Sequence, residues 1–126
     1  MPFKIIIPAR LKSSRLEEKL LLDIYGKPLI QYTYANALQS KASRVLIATD
    51  SEKIQRVCQN FGAETIMTGD HHHSGTSRIS EVIKTLNIAK DEIIVNLQGD
   101  EPMVHPKIID QVASILENSG SNVKFI

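Results

Sequence analysis

The sequence is poor in several features that would point to particular classes of protein. It has no tryptophan and only one cysteine, Cys58, so no disulfide can form within the chain. A single cysteine is typical of proteins from a reducing compartment. Cys58 shares a helical apolar face with Ile54, Val57 and Phe61, which indicates a buried structural thiol rather than a reactive one.

Long hydrophobic runs are missing as well. The apolar run Ile5 to Ile7 is too short for a signal peptide and is soon followed by Arg10. No stretch approaches the roughly 20 apolar residues that are needed to cross a bilayer. We therefore expect a cytoplasmic protein without membrane insertion.

An excess of either charge is also lacking. Fifteen basic and fourteen acidic residues give a net charge of +1, so no overall field attracts nucleic acid, and we expect no nucleic-acid partner. Neither of the two standard phosphate motifs, GxxxxGKS/T and GxGxxG, follows the first apolar run, which disfavours a classical ATPase or a nicotinamide enzyme. Any binding of an anion must therefore depend on local charges.

Short β-branched runs alternate with segments of helical periodicity along the whole chain. Strands are predicted at residues 3–7, 44–49, 65–67 and 92–98, and a fifth begins at Val123. The alternation predicts a single α/β domain over residues 1–126, with a doubly wound, mostly parallel sheet and helices on both faces. Because the fifth strand begins only four residues before the sequence stops, we expect a truncated chain.

Helices are predicted between these strands, and their apolar spacing indicates which side chains face the core. Pro28 opens the first helix, Asp50 or Ser51 caps the second, and Pro106 opens the last. A further helix follows the polar loop 68–77, with its apolar face at Ile79, Val82, Ile83 and Leu86. In the first helix the predicted inward residues are Ile30, Tyr34, Ala37 and Leu38, and in the last helix they are Ile108, Ile109, Val112, Ile115 and Leu116.

Charged residues follow two of the predicted strands. The first strand leads into a loop that carries Arg10, Lys12, Arg15 and Lys19, whereas the strand at 92–98 ends in Gly99 and Asp100. Ligands of α/β sheets bind outside the carboxyl ends of the strands, where these groups would meet. Fixed cations there would stabilise the charge on a departing pyrophosphate. A solvated basic loop explains the same composition equally well.

Carboxylates and histidines raise the question of a metal site. Asp100 follows a buried strand and is a reasonable ligand for Mg²⁺, which takes one or two carboxylates together with phosphate oxygens and water. Glu101 is more simply a turn residue. We interpret the run 71–73, three histidines, as a polar loop, because adjacent residues of a strand or helix point in different directions.

Small hydroxyl residues surround the predicted start of the third helix. Ser74, Gly75, Thr76 and Ser77 are followed by Arg78, and exposed N–H groups at such a start can hold a base or ribose while Arg78 reaches an anion. Simple capping of the helix is the alternative.

Six sequence strings, taken in order, resemble the family of 3-deoxy-manno-octulosonate cytidylyltransferases, the CMP-Kdo synthetases. They are IPAR at 7–10, SSRL at 13–16, GKPLI at 26–30, ATD at 48–50, HSGTSR at 73–78 and VNLQGDEPM at 95–103. CMP-sialic acid synthetases share IPAR and the fold but differ from QGDEP, so they are the weaker match. The resemblance covers almost the whole chain and corresponds to the N-terminal, nucleotide-binding half of such an enzyme.

The resemblance implies a cytidylyl transfer from CTP to Kdo that releases pyrophosphate, on the route to lipopolysaccharide. It implies that Arg10, Arg15 and Lys19 hold the triphosphate and that Asp100 binds Mg²⁺. It also implies a homodimer for the full-length protein. The residues that it assigns to substrate binding are Ala9, Ser74, Gly75, Thr76, Arg78 and Gln98.

Two departures from the family pattern bear on activity. Glu17, Glu18, Lys19 and Leu20 stand where the family has Pro-Gly-Lys-Pro, and two acids beside Lys19 would weaken the binding of phosphate. Family members also continue for a second stretch of similar length, which supplies another metal ligand and much of the sugar pocket. A CTP-binding fragment without turnover is therefore the alternative to an active transferase.

Overall fold

The computed structural model of the chain describes residues 2–10, 18–89, 91–119 and 123–125. Helices and strands alternate along these residues, as the periodicity predicts, except for a hairpin of two short strands that was not predicted. In chain order they are β1 (Phe3–Ala9), a 3₁₀ helix (Lys19–Leu21), β2 (Asp23–Ile24), β3 (Lys27–Pro28), α1 (Leu29–Leu38), β4 (Arg44–Thr49), α2 (Glu52–Asn60), β5 (Thr65–Met67), α3 (Gly75–Thr85), β6 (Ile93–Asn96), α4 (Pro106–Ser119) and β7 (Val123–Phe125).

Five of the described strands form one parallel sheet, in the order β5-β4-β1-β6-β7. The chain builds outward from β1 to β4 and β5 on one side, and then crosses back to place β6 and β7 on the other. The strand order therefore reverses between β1 and β6, where an open α/β sheet leaves a crevice at its carboxyl edge. β2 and β3 form a separate antiparallel hairpin.

The core lies on both faces of this sheet. Alternate residues of β1 divide between the faces: Ile5 and Ile7 pack in a cluster with residues of α1, α2 and α4, whereas Ile6 packs with Ile79 and Val82 of α3. All of these side chains are at most 1% exposed. The predicted doubly wound fold with helices on both faces is confirmed.

Element boundaries differ slightly from the predicted ones. β1 continues two residues beyond Ile7 to Ala9, β6 is limited to Ile93–Asn96, and α1 begins at Leu29, directly after Pro28. Ser51 caps α2, since its Oγ accepts from the backbone N–H of Ile54. The longer β1 matters most, because it carries Ala9 to the edge of the crevice.

Three predicted core residues are exposed. Leu38, the last residue of α1, is 55% exposed, and Ile108 and Ile115 of α4 are 47% and 58% exposed, whereas Ile109 and Leu116 are fully buried. A helix advances about 100° per residue, so Ile108 and Ile115 lie roughly 100–120° from the stripe through Ile109. For α4 the prediction was wrong because five inward residues are more than one such stripe holds.

Cys58 lies in the core, fully buried, and the expectation of a structural thiol is confirmed. Burial raises the pKa of the thiol to about 12, because the thiolate would lose its hydration there. Along the described part of the chain, no helix combines the length and the apolar character that crossing a membrane requires.

Isoleucines on the buried and the exposed side of α4 should respond differently to replacement by alanine. Ile109→Ala should lower the free energy of unfolding by about 2–5 kcal/mol, because it leaves a cavity in a closed core. Ile115→Ala, the matched control, should change it by less than about 0.5 kcal/mol in the 126-residue chain. Urea titration followed by circular dichroism measures both. Equal losses for the two variants would contradict the assignment of the buried stripe.

Candidate active site

The carboxyl ends of β1 and β6 border two adjoining clefts. The first has a volume of about 130 Å³ and the second about 120 Å³. Pro8, Arg10 and Gln98 line both, so the clefts form one continuous crevice. The first cleft is completed by Ala9, His72, His73, Ser74, Gly75 and Arg78, and the second by Lys19, Leu20, Gly99 and Asp100.

The basic residues after β1 and the carboxylate after β6 meet in the second cleft. Lys19 Nζ donates to Asp100 Oδ2 over 3.0 Å, although 81 positions separate the two residues. Both side chains keep about 40% of their surface exposed, 43% for Lys19 and 40% for Asp100. Arg10 is exposed at the junction of the clefts. Arg15 and Lys12 lie outside the described residues, so their expected roles stay predictions.

The 3₁₀ helix holds Lys19 in place by packing. Leu20 is only 8% exposed and belongs to the core cluster beneath the crevice. Its methyl groups lie against Gly99, where an added Cβ would come within 3.2 Å of Leu20 Cδ1. Leucine, which replaces the second proline of the family turn, thereby anchors the loop to the turn that carries Asp100.

The turn after β6 is fixed from below by Thr33. This threonine of α1 is fully buried, and its hydroxyl donates to the carbonyl oxygen of Gly99 over 2.7 Å. The backbone N–H of Glu101 closes the turn on the carbonyl of Gln98. Sequence reasoning missed Thr33, and the available signal was a hydroxyl residue between the inward positions Ile30 and Tyr34.

Two adjacent carboxylates stand at this turn. Burial raises the pKa of Glu101, and the negative charge of Asp100 raises it further. A group that is harder to ionise is the weaker ligand for a cation in the free protein. Asp100, exposed and opposite Lys19, is the better placed of the two.

The start of α3 forms the wall of the first cleft. Ser74 caps the helix, because its Oγ accepts from the backbone N–H of Ser77 over 3.1 Å. Gly75 lies close to the strand ends: a Cβ built on it would be 2.9 Å from Pro8 Cγ and 3.1 Å from Gln98 Nε2. Thr76 is exposed and is not among the lining residues of either cleft.

Arg78 lines the first cleft but is 4% exposed, and protein groups already engage its guanidinium. It donates to Thr68 Oγ1 over 2.5 Å and to the carbonyl of Gly69 over 3.3 Å, and lies 3.9 Å from Asp50 Oδ1. The contacts join α3 to the loop after β5. They give Arg78 a positioning role beside the anion-binding role that the sequence predicts.

Glu18 is the other departure from the family turn that the structure describes. Its φ of 57° and ψ of 27° lie in the left-handed region, which glycine adopts without strain. Its carboxylate lies 2.5 Å from Lys53 Nζ, so part of the negative charge expected to repel phosphate is compensated. Glu17 lies outside the described residues.

A sequence model of the cytidylyltransferases matches residues 4–126. The chain belongs to the cytidylyltransferase family. The family resemblance seen in the sequence is thereby confirmed, together with the nucleotidyltransferase fold.

Two relatives within the family are called 3-deoxy-manno-octulosonate cytidylyltransferase. The protein of Ruthia magnifica is 58% identical over 98% of this chain, and that of Haemophilus ducreyi is 54% identical over 98%. A solved structure of CMP:2-keto-3-deoxy-manno-octonic acid synthetase complexed with CTP is 42% identical, with a TM-score of 0.87 over 95% of this chain. The chain covers 50%, 49% and 49% of these three proteins, about half of each.

The backbone at Glu18 provides a test of the loop. Glu18→Gly and Glu18→Ala both remove the carboxylate, but only glycine adopts the left-handed conformation without strain. We expect the glycine variant to be more stable than the alanine variant by about 1 kcal/mol, as measured by urea unfolding. An alanine variant of equal or greater stability would show that residue 18 does not adopt this conformation in solution.

Proposed function

We propose that the chain forms the nucleotide-binding part of a transferase that moves CMP from CTP to Kdo and releases pyrophosphate. The observation that carries the proposal is the 3.0 Å contact of Lys19 with Asp100, in a crevice that Arg10 also lines. A cation from one strand end and a carboxylate from another thus face a single ligand space. The names of the relatives, including one complexed with CTP, support the choice of substrates.

In this proposal the second cleft receives the triphosphate and the first receives the nucleoside. Arg10 and Lys19 would bind phosphate oxygens, Arg10 with a planar fork and Lys19 as a point charge. Arg15 is expected to join them. The contacts expected around the nucleoside come from Ala9, Ser74, Gly75, Thr76, Arg78 and Gln98.

Asp100 fits the requirements of Mg²⁺. Its exposed carboxylate borders the cleft that carries the phosphate-binding cations, and Mg²⁺ usually takes one or two carboxylates together with phosphate oxygens and water. When bound, the ion would neutralise negative charge on the phosphates. In the free protein Lys19 compensates Asp100 instead.

Binding of the nucleotide with its metal would therefore give Asp100 and Lys19 new partners. Asp100 would turn from the ammonium of Lys19 to the metal, and Lys19 would turn to a phosphate oxygen. An exposed ion pair of this kind contributes only about 0–1 kcal/mol, so breaking it costs little. The pair keeps both groups at the site before the substrate arrives.

The chemical step needs an in-line displacement at the α-phosphorus. The anomeric hydroxyl of the sugar acid would lose its proton to solvent and form the new P–O bond, while the bond between the α-phosphorus and its bridging oxygen to the β-phosphate breaks. Pyrophosphate takes the electron pair of that bond. Arg10 and Lys19 would stabilise the growing negative charge, which lowers the barrier.

A second candidate is a CTP-binding protein without turnover. The described residues form the crevice proposed for the nucleotide, and the chain spans about half the length of the relatives that it matches. Both candidates predict binding of CTP, and only the first predicts release of pyrophosphate that depends on Kdo. A sugar-acid acceptor other than Kdo, as in CMP-sialic acid synthetases, is the weaker alternative.

The remaining expectations belong to the same proposal. A role in lipopolysaccharide synthesis follows from the proposed substrates, and we also propose a cytoplasmic location. A homodimer is proposed for the full-length protein.

Isothermal titration with CTP tests the exchange of partners. Mg²⁺ should strengthen binding of CTP to the unaltered chain. Asp100→Asn should abolish this effect of Mg²⁺ while leaving binding without metal as strong or stronger, because Lys19 is released. Asp91→Asn, at an exposed aspartate, is the matched control and should behave like the unaltered chain. An undiminished Mg²⁺ effect in Asp100→Asn would remove Asp100 from the metal site.

The basic side of the crevice is tested in the same way. Lys19→Met should weaken CTP binding by about tenfold or more, because a hydrogen bond to a charged group contributes about 1.5–3 kcal/mol. Lys41→Met, at an exposed lysine of the loop before β4, should have little effect. If the two lysine variants weaken binding equally, the second cleft does not hold the triphosphate.

A further inference from the structure

Two histidines and a glutamate gather beside the first cleft, where sequence reasoning favours a plain polar loop. The rings of His71 and His72 lie with their centroids 4.2 Å apart and their planes inclined at 36°. With Glu81 of α3 they offer three potential ligand atoms within 4.8 Å of one another. The expectation that neighbouring histidines point apart holds for strands and helices, whereas these two lie in an irregular loop.

The donor set is that of a transition-metal site. Imidazole nitrogens together with a carboxylate oxygen suit Zn²⁺ and related ions, and two histidines with one glutamate form a known three-ligand set for zinc. We propose that His71, His72 and Glu81 bind a divalent ion of the zinc class at the lip of the first cleft. This site is separate from the Mg²⁺ site proposed at Asp100, and it does not depend on the proposed transferase activity.

Hydrogen bonds around the cluster hold two of the ligands in position. His72, whose side chain is 6% exposed, lies with Nδ1 3.0 Å from Ser77 Oγ, which leaves Nε2 directed at Glu81. Both carboxylate oxygens of Glu81 accept from the backbone N–H of Gly69 over 3.1 Å. Such outer hydrogen bonds orient ligands and are a common feature of metal sites.

The charge state of Glu81 also suits a cation. The hydrogen bond from His72 lowers the pKa of the carboxyl group, and the bond from the Gly69 N–H lowers it further. A glutamate is ionised at neutral pH even without these bonds. The carboxylate is thus in the form that a metal requires.

A small movement would convert the hydrogen-bonded cluster into a coordinated one. His72 Nε2 and Glu81 Oε1 lie 2.8 Å apart, whereas tetrahedral bonds of about 2.0–2.1 Å would hold two ligands roughly 3.3 Å apart. The ion would replace the proton between them, so the gap opens by only about half an ångström. His71 is exposed and can turn its ring toward the same point.

Binding there would stiffen one wall of the first cleft. His72 lines that cleft, and Ser74 and Gly75, two and three residues further along the chain, line it as well. An ion joining His71 and His72 to Glu81 would fasten the loop to α3. The ion would therefore stabilise the folded chain by mass action, since it binds the native arrangement.

Cobalt is a suitable probe, because tetrahedral Co²⁺ with nitrogen and oxygen ligands absorbs visible light. Titration of the chain, free of any polyhistidine tag, with Co²⁺ should give one equivalent of absorbing complex, which Zn²⁺ then displaces. His71→Asn should weaken Zn²⁺ binding by more than about tenfold in isothermal titration. His73→Asn, at the exposed neighbour outside the cluster, is the matched control and should bind as the unaltered chain does.

Two further measurements separate this site from the Mg²⁺ site and from a folding defect. Asp100→Asn should leave Zn²⁺ binding unchanged, and excess Mg²⁺ should not compete, because Mg²⁺ prefers oxygen ligands. Glu81→Gln, whose amide oxygen can still accept from Gly69, should lose the rise in melting temperature that Zn²⁺ produces. Absence of Co²⁺ absorption, equal losses in the His71 and His73 variants, or loss of Zn²⁺ binding in Asp100→Asn would overturn the proposal.

Discussion

The parallel pairing of β1 with β6 is the contact on which the rest of the molecule depends. Its register joins Phe3 to Ile93 and Ile6 to Asn96, so both strands finish at the same edge of the sheet. After β1 the chain adds β4 and β5 on one side and then β6 and β7 on the other, which keeps helices from closing this edge. If all strands had been added on the same side of β1, a crossover helix would have covered the end of β1. The crevice is therefore a product of topology before any side chain contributes.

Packing then turns this open edge into a defined site. Leu20 and Thr33 illustrate two ways of doing so: the leucine presses the basic loop against Gly99, and the threonine ties the carbonyl of Gly99 to α1. Both residues are buried, and Leu20 also lines the second cleft, whereas Thr33 lines neither cleft. Because the interior is closely packed, a displacement of either would move Asp100 relative to Lys19. The electrostatic site thus rests on apolar contact and one buried hydrogen bond.

On the other side of the crevice, polar contacts hold the lining residues in position. Arg78 and Glu81 of α3 each hold the loop after β5, Arg78 through Thr68 and Gly69 and Glu81 through Gly69 and His72. Gly69 contributes both its carbonyl and its N–H to these bonds. Because His71 and His72 lie outside helices and strands, the loop can adopt a local conformation in which these adjacent side chains lie on the same side.

Local sequence rules predicted most of the fold. β-branched runs identified the five parallel strands, and the resemblance of six short strings identified the family. The gathering of charge at one edge also followed from the sequence, since parallel strands end together. Helical periodicity failed for Ile108 and Ile115, because the pattern of apolar residues does not say how wide a stripe the sheet will cover.

What the sequence by itself determined were properties that neighbouring residues impose on one another: strand and helix, a cap for α2 at Asp50 or Ser51, and the burial of Cys58. The tertiary structure alone decided contacts between distant positions, such as Lys19 with Asp100 and Glu18 with Lys53. The physical reason is that such contacts depend on distances fixed by the packing of whole elements. No local pattern encodes those distances.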